Sequence, residues 1–542
     1  MRTLTLLLSL LVLAACTTGY ENRQDMLRNT ITPDREWWDV LHYRLAVEFD
    51  PQEKFIRGSN EIRFKALKAG STMQIDLQPP LAITKVSFGD SELIFDREGN
   101  VYFLHFESEI AAGLEGSIVI AYEGIPKESV NPPWEGGVTW GHDDLGNDFI
   151  VTTAQGIGAS VWWPNKDHGY DEPDLGMQIA ITVPDNLSAV SNGRLKHTEH
   201  NEDSNTKTFH WELVNPINNY GVSVNIGNYV NFSETYQGVD GPLDLDYWVL
   251  AHQKQVAENQ FAEVPRMLEA FEYWFGKYPF YEDGYKLVAV SYAGMEHQSA
   301  VTYGNWFQNG YRGRDVSDTG IGMKFDFIIV HESGHEWFGN NISAIDNKHL
   351  WIHEGFTNYS ENLFVEYWFG KHDSEDYVIG SRHNVLNKDP IITSGSQENS
   401  STDMYYKAGN MLHTIRHIIG DDEKWRGILK ELNQYFWHQT VTTQQVESFI
   451  STAAGFDLSA VFDQYLRASQ LPILRYAINE NELSYQYTEI VSGFAMPIDV
   501  TINGKEVRLT PTVEQKTLNF GAEIESFDVN RNFYIESEIK NF

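Results

Sequence analysis

Two histidines and two glutamates near the middle of the chain have the types and spacing of a metal site. His331 and His335 stand four positions apart after an apolar run, so on a helix their imidazoles project from one side, a turn apart. Neutral imidazole nitrogens bind Zn²⁺ at about 2.0–2.1 Å, and Glu354, which opens the next helical stretch, can supply a third ligand. Glu332, beside the pair, could take a proton from water activated there. The pattern predicts one zinc ion per chain and hydrolytic chemistry.

Glu361 lies two turns beyond Glu354, on the same face of that second predicted helix. A carboxylate in this position could orient one of the ligand histidines through the ring nitrogen that does not bind metal. A solvated helix face would explain Glu361 alone, and chance could place two of the 18 histidines four residues apart. The presence of Glu354 a short distance downstream argues against chance.

Length and composition indicate a folded protein of several domains. The chain has 542 residues, of which 42% are hydrophobic and 13% aromatic, so it can bury a large core and is not a disordered protein. A net charge of −36 argues against a polyanionic partner, and we therefore expect no nucleic-acid binding. The acidic surface could attract cationic peptides, although a generally solvated surface is the simpler interpretation.

Residues 1–15 have the features of an export signal. Arg2 precedes an apolar run from Leu4 to Ala15 that is too short to span a bilayer, and Cys16 follows it. This end of the run resembles a bacterial lipobox. The resemblance implies that Cys16 is lipidated and that Thr17 after it allows sorting to the outer membrane of a Gram-negative-type bacterium. A plain secretory signal with an incidental cysteine is the alternative.

Cysteine usage restricts the chemistry of the mature protein. Cys16 is the only cysteine, so the fold contains no internal disulfide and no thiol is left for nucleophilic catalysis or a cysteine-based metal site. We expect an exported monomer that contacts the membrane through its N-terminal lipid.

The hydrophobic pattern divides the remaining chain into three domains. From residue 16 to about 240, apolar and polar residues alternate, as in Tyr43–Phe49, which is typical of half-buried strands. Residues 241–468 contain longer amphipathic stretches typical of helices, among them Gln253–Tyr278, which we expect Pro279 to end. Residues 469–542 return to strands, with Asn503-Gly504 as the turn of a hairpin.

Three motifs occur in a fixed order: the glycine-methionine-glutamate stretch Gly294–Glu296, the zinc pattern described above, and a tyrosine pair before a lysine at Tyr405–Lys407. Together they resemble the gluzincin aminopeptidases, relatives of aminopeptidase N and leukotriene hydrolase, over most of residues 30–540. The resemblance implies a multidomain α+β fold: an all-β, saddle-like N-terminal domain, a thermolysin-like α/β zinc domain, and a small C-terminal β-sandwich. It also implies that this chain lacks the large C-terminal helical domain of many relatives, and we expect a more open cleft.

The resemblance assigns roles to individual residues. His331, His335 and Glu354 would bind catalytic zinc, and Glu332 would be the general base. Glu296 would bind the free α-ammonium group of the substrate, with Gly294 and Met295 beside it on the peptide-binding edge. Gln155 resembles a glutamine that the N-terminal domain contributes to the same amine. Tyr405 would stabilise the oxyanion of the tetrahedral intermediate, with Tyr406 as the rival for that role.

Three histidines depart from the usual family pattern. His297 and His353 replace asparagines, and His349 occupies a place often held by aspartate. None of these changes removes a catalytic group. Because a histidine near the site can titrate close to neutrality, we expect an effect on pH dependence or on ligand orientation.

These observations favour a zinc-dependent aminopeptidase that releases N-terminal amino acids from peptides with a free N-terminus. A thermolysin-type endopeptidase would share the metal ligands but would not need Glu296 as an amine anchor. A non-catalytic surface lipoprotein that binds peptides is the second alternative. Glu332 and Tyr405 argue against it, because a purely structural zinc site needs neither side chain.

Overall fold

The computed structural model describes residues 23–393 and 401–540. The predicted signal peptide 1–15 and the lipidation site Cys16 lie outside the described residues, so both stay predictions. Two compact units make up the fold. The first contains residues up to Glu234 together with Asp244–Lys254 and Phe280–Tyr303, and the second contains Thr235–Leu243, Gln255–Pro279 and the chain from Gly304 onward. The domain boundaries proposed from sequence are not tested by this division.

The first unit is built mainly of β-sheets. Its largest sheet has eight strands in the spatial order Arg194–Asn201, Thr206–Leu213, Met177–Pro184, Trp38–Asp50, Phe55–Ala66, Glu115–Gly124, Ala82–Phe88 and Ser91–Glu92. Only Trp38–Asp50 and Met177–Pro184 pair in parallel; the other neighbours are antiparallel. The alternation predicted in Tyr43–Phe49 is present: Tyr43, Leu45, Val47 and Phe49 are buried.

Smaller sheets complete this unit. One contains Gly70–Asp76, Val101–Ile110 and Ile94–Glu98, and another contains Ser188–Val190, Asn225–Gly227, Asp148–Thr153 and Gly137–His142. A further sheet has the order Tyr229–Gly238, Gly241–Leu250, Tyr285–Ala289, Val301–Tyr303 and Gly294–Met295. Within the described residues, Gly294–Met295 is therefore an edge strand, antiparallel to Thr302-Tyr303.

The second unit is mainly helical. The described chain has an α-helix over residues 23–29. Its other α-helices are Pro33–Glu36, Lys254–Gln260, Glu263–Phe275, Phe327–Gly334, Trp351–Phe369, Lys371–Gly380, Tyr406–Ile419, Asp422–Tyr435, Thr443–Ala454 and Ser459–Leu466. A short parallel pair, Ile342–Ala344 with Gln439–Val441, lies among them. Within residues 23–393 and 401–540, no helix is long and apolar enough to cross a membrane.

The single helix predicted over Gln253–Tyr278 is wrong in two respects. The segment forms two helices, Lys254–Gln260 and Glu263–Phe275, and the second ends four residues before Pro279. Gly276 ends it by adopting a φ of 91°, a conformation that costs glycine little because it has no Cβ. The helix buries Phe271 and Phe275 against Trp337, with ring centroids 5.6 and 6.1 Å apart.

The C-terminal strands form two small sheets, as the sequence predicts. One contains Lys516–Asn519, Glu482–Thr488, Ile473–Asn479 and Glu536–Ile539, and the other contains Lys505–Leu509, Ile498–Ile502 and Phe527–Val529. Asn503 and Gly504 have φ angles of 51° and 77°, the left-handed values of the predicted tight turn. The rings of Tyr476 and Phe527, one from each sheet, lie 4.4 Å apart, so the two sheets pack together.

Candidate active site

The helix Phe327–Gly334, here called the first site helix, carries the first histidine of the predicted zinc pattern. Asp326 caps its N-terminus by accepting hydrogen bonds from the backbone N–H groups of Ile328 and Ile329 at 3.1 and 3.3 Å. The cap is itself fixed, because Asn305 and Gln260 donate to the same carboxylate at 2.8 and 2.7 Å. Every residue of this helix is buried, so the apolar run before the motif anchors the site in the core.

The sequence predicted that both histidines lie inside one helix, and this is wrong for His335. His335 is the C-cap residue, with helical φ and ψ of −64° and −19°, so the side chains still stand one turn apart. Their ring centroids are 5.0 Å apart. Glu354 comes from the helix Trp351–Phe369, the second site helix, and its Oε2 lies 3.4 Å from His335 Nε2 and 3.8 Å from His331 Nε2.

Hydrogen bonds at the far side of each imidazole fix which nitrogen faces Glu354. The Nδ1–H of His331 donates to Glu361 Oε1 at 2.7 Å, and the Nδ1–H of His335 donates to the carbonyl of Phe338 at 3.0 Å. Glu361 is fully buried, and its other oxygen accepts from the Tyr377 hydroxyl at 2.6 Å. Because both Nδ1 atoms are protonated, both Nε2 atoms keep a lone pair for a metal. Glu361 thus has the position expected of it, two turns beyond Glu354.

The donor set fits a zinc ion. Two ligand atoms bound at 2.0–2.1 Å to a tetrahedral ion are about 3.3–3.4 Å apart, close to the separations found here. Among the described residues, Glu354 Oε2 is buried with no hydrogen-bond partner, a cost that a cation would remove. Burial by itself would raise the pKa of Glu354, but the neighbouring His335 and His331 lower that pKa well below its usual range. Glu354 is therefore an anion held between two imidazoles.

Glu332 is buried on the first site helix, next to His331 in the chain. The pKa of Tyr311 lies above its usual value, mainly because the residue is buried. Arg312 opposes this rise and the negative charge of Glu332 adds to it. A buried carboxylate directly beside a metal ligand is chemically suited to accept a proton from water at the metal.

Tyr405 and Tyr406, the two candidates for stabilising the oxyanion, have different environments. The ring of Tyr405 is stacked on that of His331, with centroids 6.1 Å apart. Tyr406 begins the helix Tyr406–Ile419, and its pKa is raised by burial and then by the charge of Glu361. Lys407 is held by the carbonyls of Ala468 and Ser469 at 2.8 and 3.3 Å. Of the two tyrosines, Tyr405 is the one whose ring packs against a predicted metal ligand.

The predicted amine anchor lies in the first unit. Glu296 is buried directly after the edge strand Gly294–Met295, whose two residues are buried as well. Gln155 Nε2 donates to Glu296 Oε1 at 2.6 Å, and the Tyr220 hydroxyl donates to the same oxygen at 3.2 Å. The structure therefore brings together Gln155 and Glu296, which are 141 residues apart in sequence.

Tyr220 is a functional candidate that sequence reasoning missed. It lies in the short 3₁₀ helix Asn219–Gly221, where Asn218 caps the turn by accepting from its backbone N–H. Nothing in the surrounding sequence distinguishes it from the other tyrosines of the chain, because its role depends on a contact with a residue far away in sequence.

The expectation that the unusual histidines titrate near neutrality is wrong for two of them. Burial lowers the pKa of His297 to about 3. Burial and, to a smaller extent, His335 lower the pKa of His353 to about 3, and His353 Nε2 accepts a hydrogen bond from the backbone of Ala344 at 2.7 Å. The pKa of the half-buried His349 is also lowered, again mainly by burial. The depth at which each residue is buried, which the sequence does not reveal, decides this outcome.

Comparisons with known proteins agree with this geometry. Residues 260–465 match the model of the peptidase family M1 domain. Leucyl aminopeptidase of Saccharolobus solfataricus is 21% identical over 389 residues, which are 67% of this chain and 48% of the relative. Aminopeptidase N of Lactobacillus helveticus is 26% identical over 340 residues, or 57% of this chain and 38% of the relative. The chain spans about half the length, or less, of such curated relatives.

Solved structures share the fold. A two-domain M1 zinc metallopeptidase bound to L-tryptophan superposes with a TM-score of 0.70 at 20% identity, covering 82% of this chain and 98% of the other. The M1 zinc metallopeptidase of Deinococcus radiodurans gives a TM-score of 0.69 at 20% identity, covering 80% and 94%. The predicted multidomain α+β fold is therefore confirmed.

Proposed function

We propose that the chain, whose residues 260–465 match the peptidase family M1 domain, is a zinc-dependent aminopeptidase that releases N-terminal residues from peptides. The family resemblance inferred from the three sequence motifs is confirmed. The observation that carries the proposal is the arrangement of His331, His335 and Glu354, in which both Nδ1 atoms are committed elsewhere and both Nε2 atoms face one buried carboxylate.

Zinc held by these three residues would supply a Lewis acid that polarises the scissile carbonyl and makes water acidic enough to lose a proton near neutral pH. Glu332 accepts the proton of the attacking water and passes it to the leaving amine. Tyr405 donates a hydrogen bond to the oxyanion that develops as water attacks, which stabilises the charge in the transition state. Glu361 keeps the His331 ring in the orientation and tautomer that the metal needs.

Glu296 would make the proposed activity specific for the N-terminus of a peptide. An enzyme that cuts beside a free N-terminus must detect one positive charge, and a buried carboxylate pairs strongly with an ammonium group. Gln155 and Tyr220 both donate to Oε1 of Glu296, which fixes the carboxylate plane. One similar solved structure, a Deinococcus radiodurans M1 zinc metallopeptidase mutant, is bound to the substrate Tyr-Ser-Ala, which supports a peptide substrate.

Metal removal tests the proposal. Dialysis against a chelator should abolish hydrolysis of aminoacyl amides, and one equivalent of Zn²⁺ per chain should restore it. Glu332→Gln should keep the zinc but lower kcat by about 10²–10⁴-fold, the usual contribution of a general base. Activity that survives complete zinc removal, or full activity in Glu332→Gln, would contradict the proposal.

We further propose that the protein is an exported lipoprotein anchored through Cys16 in the outer membrane. The support is the apolar run Leu4–Ala15 and the position of Cys16 as the only cysteine in the chain. Labelled fatty acid should be incorporated in the bacterial host and should be lost in Cys16→Ser. Equal labelling of the variant would refute the anchor. We also expect a monomer, which light scattering of the unlipidated chain would check.

A further inference from the structure

We propose that His197, Glu199 and His210, in the eight-stranded sheet of the first unit, form a second transition-metal site. These residues, called the strand site below, are distinct from the residues assigned to the catalytic zinc. Each offers one ligand atom, and the three atoms lie within 4.8 Å of one another. The proposal does not depend on the aminopeptidase function.

The backbone of two neighbouring strands places these side chains together. Arg194–Asn201 and Thr206–Leu213 run antiparallel, and His197 lies directly opposite His210. Glu199 is two residues from His197, so its side chain projects from the same face of the sheet. Directly opposite residues have Cβ atoms about 4.5–5.5 Å apart, which suits two imidazoles that share one ion. On the other side of the Thr206–Leu213 strand, the residue opposite His210 is the small Ala180.

The ligand atoms lie about as close together as those of a coordinated ion, and an ion would have to replace the hydrogen bond between His197 Nε2 and Glu199 Oε1. Glu199 Oε1 lies 3.2 Å from His197 Nε2, and Glu199 Oε2 lies 3.6 Å from His210 Nε2. Ligand atoms on one tetrahedral zinc ion are about 3.3–3.4 Å apart. The corresponding separations in the His331–Glu354–His335 group are 3.8 and 3.4 Å, so the strand site is at least as compact.

The His210 ring supplies a second, independent observation. Its Nε2 atom is buried and, within the described part of the chain, has no hydrogen-bond partner. The imidazoles of His197 and His210 are stacked with centroids 4.2 Å apart and planes 9° apart, so one ring has to rotate before both in-plane lone pairs can point at one ion. A buried polar atom without a partner costs free energy, and a metal ion that accepts its lone pair removes that cost.

The donor set determines which metal the strand site would take. Two imidazoles and one carboxylate suit Cu²⁺, Ni²⁺ and Zn²⁺ rather than Mg²⁺ or Ca²⁺, which prefer oxygen ligands. The side chains of His197 and Glu199 are 54% and 64% exposed, so water can complete the coordination and the ion can exchange with solvent. By the Irving–Williams order, Cu²⁺ should bind more tightly than Zn²⁺ or Ni²⁺. A bound ion would link the two strands at one end of the sheet.

Equilibrium dialysis of the zinc-loaded protein against Zn²⁺ or Cu²⁺, followed by metal analysis, tests this proposal. The wild-type protein should bind a second equivalent of metal in addition to the zinc that it already holds. His210→Ala and His197→Ala should each weaken that binding at least tenfold, because even the loss of an outer partner of a ligand typically costs about 10–100-fold. The first equivalent, assigned to His331, His335 and Glu354, should persist in both variants.

His200→Ala is the matched control. His200 is on the same strand but on the opposite face, where its Nδ1 lies 3.3 Å from Asp185 Oδ1, and its loss should leave the second equivalent unchanged. With Cu²⁺, electron paramagnetic resonance should show coupling to two nitrogens in wild type and to one in His210→Ala. Uptake of a single equivalent by wild type, or a second equivalent that is equally tight in His210→Ala, would overturn the proposal.

Discussion

Gln155 donates a hydrogen bond from Nε2 to Oε1 of Glu296 at 2.6 Å. The contact joins a loop residue to the carboxylate that follows the edge strand Gly294–Met295, and Tyr220 reinforces it from a third segment of the chain. Two donors on one oxygen hold the carboxylate in a single orientation. If Glu296 binds a substrate ammonium group, its affinity for that group depends on Gln155 and Tyr220 as well.

Tyr220→Phe should lower kcat/KM for peptides with a free N-terminus by about tenfold, mainly through KM, because a hydrogen bond to a charged group typically contributes about 1.5–3 kcal/mol. Steady-state kinetics with an aminoacyl amide measures the effect. Tyr435→Phe is the control, since Tyr435 is 65% exposed. Equal kinetics in Tyr220→Phe and Tyr435→Phe would show that Tyr220 has no positioning role.

Tyr405→Phe should lower kcat by about 10²–10³-fold with little change in KM, because the lost hydroxyl stabilises charge only in the transition state. Tyr406→Phe removes the neighbouring hydroxyl and should have a much smaller effect on kcat, since its ring is not the one stacked on His331. The reverse ranking of the two variants would transfer the role to Tyr406.

Glu361→Gln should weaken zinc binding by about 10–100-fold, because the amide replaces the charged acceptor of the His331 Nδ1–H. Competition with a chelating dye gives the zinc dissociation constant. Glu431→Gln, on the exposed side of the helix Asp422–Tyr435, serves as the control. Unchanged zinc affinity in Glu361→Gln would mean that Glu361 does not orient the ligand.

We expect the contribution of Glu263 to the free energy of unfolding to fall as pH rises. Burial raises the pKa of this carboxyl to about 7 in the folded protein, against the opposing effect of Arg266, from an ordinary value near 4.5. The folded state therefore binds the proton more tightly than the unfolded state does. The stabilising contribution is complete below pH 4.5 and is lost as pH rises to about 7.

Urea unfolding of wild type and Glu263→Gln, at pH 5 and at pH 8, measures this contribution. The neutral glutamine does not titrate, so the variant should gain up to about 2 kcal/mol relative to wild type between the two pH values. A difference between the two proteins that stays constant with pH would show that Glu263 has an ordinary pKa.

The parts of the site that could be predicted from sequence are those held by local spacing. The pairing of His331 with His335 follows from helix spacing, Glu354 follows from its position a short distance downstream, and Glu361 follows from the helix period two turns beyond Glu354. The hairpin at Asn503-Gly504 was equally predictable, because those residue types determine the turn. In each case the residues lie within 30 positions of one another in the chain.

The remaining features depend on contacts between distant segments. Tyr220 and Gln155 meet at Glu296 only because three loops converge, and no local pattern marks Tyr220. His297 and His353 are neutral because they are deeply buried, a property that their neighbours in sequence do not reveal. The pairing of His197 with His210 likewise requires the register of two strands, which a one-residue shift would abolish.

The most direct test of the account compares hydrolysis of an aminoacyl p-nitroanilide with that of its N-acetylated counterpart, in wild type and in Glu296→Gln. Acetylation removes the ammonium charge and leaves the scissile bond unchanged. We expect wild type to cleave the free-amine substrate and to lose nearly all activity on the acetylated one, and we expect Glu296→Gln to lose most of this discrimination. Equal cleavage of both substrates by wild type would contradict the proposal that Glu296 selects a free N-terminus.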